Sequence, residues 1–128
     1  MELEAVLFEM AANSVQGLPL GFAGKANEIA RQISGRMLFD IRLDDDPHYQ
    51  RIAGIRYTNS EIGVLTLSLD GLSVRAFPIS RISASLIQPL ERWASLPLRE
   101  QVQTDIQGAA RLFVAVLEYR DDGALHSD

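Results

Sequence analysis

Cysteine is absent from all 128 residues, which removes disulfides, zinc–thiolate sites and thiol chemistry together. Lysine occurs once, at Lys25, so the cationic side chains are otherwise arginines, whose planar forks suit bidentate pairing with carboxylates. Histidine occurs only at His48 and His126, one in a turn context and one near the end. Neither a Gly-x-Ser-x-Gly elbow nor a His-Glu-x-x-His helix is present, so no familiar catalytic constellation can be assembled. A cationic surplus is lacking as well: the net charge of −5 speaks against non-specific nucleic-acid binding. No apolar run approaches membrane-spanning length, and Glu2 and Glu4 stand where a signal peptide carries positive charge. These absences predict a cytoplasmic protein with no membrane or nucleic-acid partner.

What is present is ordinary for a globular chain. Hydrophobic residues make up 47% and charged residues 23%, which excludes wholesale disorder. The length fits one domain, expected over 1–120, with a disordered acidic tail over 121–128.

The organising stretch is Ile62 to Ile79, where two alternating runs meet at Asp70-Gly71. Read as a two-residue type I′ turn, this sets the register. Leu69 faces Leu72, Leu67 faces Val74 and Leu65 faces Ala76 on a core side. Thr66 with Arg75, Val64 with Phe77 and Ile62 with Ile79 lie on the other. Alternation predicts further strands over about 37–43 and 50–58, the latter joined to the hairpin by an odd-length turn at Asn59-Ser60-Glu61. The fold class is therefore α+β, a four-stranded antiparallel meander, with a fifth strand an open alternative over Ser80–Gln88.

Helices flank it. Residues 2–14 place Leu3, Val6, Leu7 and Met10 on one stripe. A second helix ends near Ser34, with Gly35 as its left-handed closing residue. The intervening loop, Gly17 to Lys25, is apolar; Leu18, Leu20 and Phe22 read as a core plug, with an exposed docking loop as the alternative. Pro89 and Pro97 bracket a short helix containing Leu90 and Trp93. A long final helix over about 98–120 carries Leu98, Val102, Ile106, Ala109, Phe113 and Val116 as its buried stripe. Leu112, Ala115 and Tyr119 make a second apolar line, which suits a self-complementary contact.

Two clusters have chemical content. Asp44, Asp45, Asp46 and His48 could ligate a metal, but the spacing of a calcium loop is missing, so a solvated turn with no metal or cofactor is expected. Arg42, Arg56 and Arg75 are expected to project together from the outer sheet face beside Val64 and Phe77, as a docking face for carboxylates. By composition and element order alone, the chain is similar to small acidic bacterial secretion chaperones and toxin-neutralising immunity proteins; no motif carries a family. The leading expectation is a non-enzymatic protein-interaction module, a homodimer through Leu112, Ala115 and Tyr119, that binds a protein partner. The alternative is a small-molecule binder or enzyme with a pocket between the sheet and the C-terminal helix, lined by Tyr49, Tyr57, Trp93 or Tyr119.

Overall fold

In a computed structural model the chain is described over residues 3–58, 61–80 and 83–126, with side chains over 5–58, 61–79 and 83–118. Strands β1 (Arg36–Arg42), β2 (Tyr49–Arg56), β3 (Glu61–Ser68) and β4 (Val74–Ser80) pair in chain order as one antiparallel meander. Helices α1 (Leu3–Val15) and α2 (Phe22–Gln32) precede the sheet; α3 (Ala84–Ala94), α4 (Leu98–Gln103) and α5 (Gln107–His126) follow it. The class is α+β. The chain divides into two compact units, Met1–Ile82 and Ser83–Asp128.

The central hairpin has the expected register: Leu65 pairs with Ala76, Thr66 with Arg75, Val64 with Phe77 and Ile62 with Ile79. Its turn differs. Positive φ falls on Gly71 (+76°) and not on Asp70, so no type I′ turn forms. Instead Ser68 N–H donates to Ser73 O at 2.9 Å, and Gly71 N–H to Ser68 O at 3.0 Å, around a four-residue loop. The Asp70 carboxylate accepts from Ser68 Oγ and Leu72 N–H, which together hold its pKa below the ordinary carboxylate value. Two and four are both even, so either loop leaves the same faces in place. Leu69 and Leu72 are exposed and form no core pair. Since Gly71 remains left-handed, Gly71→Val should destabilise the domain by about 1–3 kcal/mol. An unchanged urea midpoint would contradict that conformation.

Between β2 and β3 the pair Arg56–Ile62 encloses an odd number of residues, and Ile55 shares a face with Leu65, as expected. Asn59 and Ser60 lie outside the described residues. On this face sits the core of the first unit: Phe8, Ala11, Ala12 and Val15 of α1, then Phe22, Ala26, Ile29 and Ala30 of α2, packed with Ala53, Ile55 and Leu65. Helix α1 is thus rotated from the expected stripe. Val6, Leu7 and Met10 are exposed, while the side chain of Leu3 lies outside the described residues. The cause is Gly63, whose missing side chain leaves a hollow in β3 that the Phe8 ring fills; a Cβ there would stand 2.3 Å from Phe8 Cε1. The loop before α2 divides in the same way, with Phe22 buried and Leu18 and Leu20 exposed.

Helix α2 closes one residue earlier than expected. Ser34 (φ +54°) takes the left-handed position, with Gly35 N–H donating to Ala30 O at 2.8 Å and Ser34 N–H to Arg31 O at 3.3 Å, a Schellman closure. Gly35 serves close packing instead, since a Cβ there would meet Ile55 Cγ2 at 2.9 Å.

The opposite face of the sheet is also buried, through Phe39, Ile41, Ile52, Ile62, Val64, Thr66 and Ile79.

In the second unit no fifth strand forms over the described part of 80–88; Arg81 and Ile82 lie outside it. Ser83 caps α3, its Oγ accepting from Ser85 N–H at 3.3 Å, and Ile87 and Leu90 are buried at helical spacing. Pro89 falls inside this helix instead of before it. The expected continuous helix over 98–120 is two helices. Thr104 is extended, and Asp105 Oδ1 accepts Gln107 N–H at 2.9 Å, which starts α5 afresh. The break leaves Leu98 and Val102 exposed and moves the buried line of α5 to Ala110, Phe113, Val114 and Leu117. Helix α5 reaches His126, inside the stretch 121–128 expected to be a tail. Among the described residues, no helix is long and apolar enough to cross a membrane.

Candidate functional surfaces

The three arginines do not share one face. A β-bulge at Leu38, between Met37 and Phe39, reverses the expected alternation of β1. Arg42 therefore pairs with Arg51 on the face that carries α1 and α2, while Arg56 and Arg75 belong to the opposite face. Val64, expected beside them as a contact residue, is fully buried. Phe77 is half-buried, and the Arg75 guanidinium lies 4.7 Å from its ring centroid. Thr66, directly across from Arg75, is buried with no hydrogen-bond partner for its hydroxyl. Arg56, Arg75 and Phe77 thus share the expected face, and Arg42 does not.

The bulge creates a pair that the alternation of β1 concealed. Asp40 and Arg51 lie diagonally across β1 and β2, joined at 2.5 Å, and the Arg51 guanidinium stands 5.2 Å from the Phe22 ring centroid. Asp40 Oδ1 and Arg51 Nε are buried without partners, so the fork is used at one tooth only. Arg51 thereby touches both Asp40 of β1 and the first residue of α2, and a pair desolvated to this degree adds little net stability. A one-residue offset between the apolar positions of β1 and β2 is the sequence signal that could have placed it.

The acidic turn holds itself. Asp46 Oδ2 accepts from His48 N–H at 2.9 Å and from Tyr49 N–H at 2.8 Å, leaving that carboxylate committed to its own backbone. Among the described residues, no group of three or more His, Asp or Glu side chains is placed to hold a metal ion. The tyrosines are also dispersed. Tyr57 stacks on Phe8 in the core with centroids 5.9 Å apart, Tyr49 stands beside His48, and the side chain of Tyr119 lies outside the described residues.

Comparison of the chain with protein-family models, curated proteins and solved structures found no match.

What remains prominent is apolar surface at helical spacing. On α5, Leu112 is 58% exposed and Ala115 is exposed three residues on, one turn along the same side. The helix buries a different line, so it is apolar on two sides and covered on one. Helix α1 repeats the pattern, with Val6, Leu7 and Met10 outward (Met10 at 60%) and Phe8, Ala11, Ala12 and Val15 inward. Helices apolar all round are ordinarily covered all round.

Proposed function

We propose that this chain is a non-enzymatic interaction module that acts as a homodimer and binds a protein partner. The observation that carries the reading is the uncovered line of α5, Leu112 with Ala115, on a helix whose other apolar line is already buried. A two-fold contact needs one self-complementary patch, and a short row of aliphatic side chains flanked by polar residues supplies it. Tyr119, one turn beyond Ala115, continues the line in sequence. Partner recognition on this reading falls to Arg75 with Phe77, where a guanidinium lying over a ring offers a carboxylate-bearing chain both charge and contact area.

Sedimentation velocity tests the dimer. Leu112→Glu places two carboxylates against each other across the two-fold, and at an exposed position it should alter monomer stability by no more than about 0.5 kcal/mol. The parent should sediment as a dimer and the variant as a monomer with unchanged far-ultraviolet circular dichroism. A parent that is monomeric at high micromolar concentration ends the dimer reading.

A further inference from the structure

The second unit contains a hollow of about 250 Å³, walled by Pro89, Arg92, Trp93, Leu96, Thr104 and Ile106. We infer that it is a binding site for a small monocarboxylic acid with an apolar body. Its walls come from one short stretch of chain, and side-chain hydrogen bonds hold them in place. The Trp93 indole N–H donates to Gln101 O at 3.2 Å, and Gln101 Nε2 donates in return to Ala94 O at 3.1 Å and Leu96 O at 3.0 Å. This clamp joins the end of α3 to α4 and fixes the indole plane, so little ordering is left for a ligand to impose.

The same bonds decide the chemistry. The indole N–H is committed to Gln101, and the Thr104 hydroxyl donates to Glu100 O at 2.8 Å. Within the hollow the lining offers a ligand ring and aliphatic surface and almost no free donor. The one cation of the lining is Arg92, which joins an almost wholly apolar wall through its aliphatic stem and is itself exposed and without an ion pair among the described residues. The fork of a guanidinium matches a carboxylate. One cation beside an apolar hollow suits a monoanion better than a phosphate, which draws on several donors at once. At ~30 Å³ for each water-sized volume, the space of about 250 Å³ takes about eight non-hydrogen atoms.

Octanoate, slightly larger, fills that space with its chain and leaves its carboxylate at the mouth, and serves as the probe. Trp93 is the only tryptophan in the chain, so its fluorescence reports occupancy directly. Titration should give a saturable change with a dissociation constant of roughly 0.1–1 mM, the range that so few atoms support. Arg92→Gln should weaken octanoate at least about fivefold while leaving octan-1-ol unaffected, because only the acid uses the charge. N-acetyl-leucine, representing a peptide C-terminus, should bind more weakly than octanoate, since its amide would be desolvated with no partner inside. Amide shifts in the full chain should map octanoate to residues 89–106. The inference is overturned by the absence of saturable binding up to about 10 mM, by shifts confined to other residues, or by an Arg92→Gln variant that binds octanoate like the parent. Tighter binding of N-acetyl-leucine overturns it in favour of a peptide end.

Discussion

Gly63→Ala should lower the unfolding free energy by about 2–3 kcal/mol, a large share of what a small domain has. The strand conformation of Gly63 suits alanine, so the cost is steric alone. A Cβ would stand 2.3 Å from Phe8 Cε1 and 2.5 Å from Phe8 Cζ, and that ring is fully buried between α1 and the sheet. To make room the ring must leave its hollow and carry α1 with it. Phe8→Leu removes the obstruction at the cost of a smaller contact. The double variant should therefore lose less than the two single variants combined, by on the order of 1 kcal/mol or more in urea unfolding. Strictly additive losses would mean that Phe8 does not occupy the space above Gly63, and the packing of α1 would have to be redrawn.

Phe39→Ala should cost still more, about 3–5 kcal/mol, through lost burial and the cavity left behind. Phe39 is fully buried on the opposite face of the sheet and pairs directly with Gly54 of β2. Its ring covers that glycine so closely that a Cβ would lie 2.5 Å from Phe39 Cε2. Gly54→Ala alone should accordingly destabilise by about 1–3 kcal/mol. Added to Phe39→Ala, it should cost little or nothing, because the new methyl enters space the ring has vacated. A Phe39→Ala variant within about 1 kcal/mol of the parent would contradict the burial of that ring.

These two glycines show where reading residues in order reaches its limit. Each is a glycine inside an alternating run, and each run forms the strand that its alternation predicts. The aromatic partner above each glycine comes from a distant element for Gly63 and from a bulged neighbour for Gly54. The candidate surfaces divide in the same way. Leu112 and Ala115 form a second line by spacing alone, and both are exposed on α5. A shared face for Arg42, Arg56 and Arg75 requires unbroken alternation, and one bulge at Leu38 moves Arg42 off it. The hollow beside Trp93 depends on Gln101 folding back to two carbonyls, which no local pattern announces.

Strand identity, the hairpin register and the α+β class were determined by the sequence itself. They follow from a period of two, a period near three and a half, and the even length of one loop, all local quantities. Helix phase was decided by tertiary structure. Helix α1 offers apolar residues around its whole circumference, so its pattern allows other faces besides the stripe of Leu3, Val6, Leu7 and Met10; the hollow at Gly63 selects Phe8 and leaves Val6, Leu7 and Met10 outside. The division of the final helix needed both. Thr104 and Asp105 are suitable capping residues in the sequence, but a helix can run through them. The carboxylate of Asp105 on Gln107 N–H makes the break, and with it the choice of Ala110, Phe113, Val114 and Leu117 as the buried line.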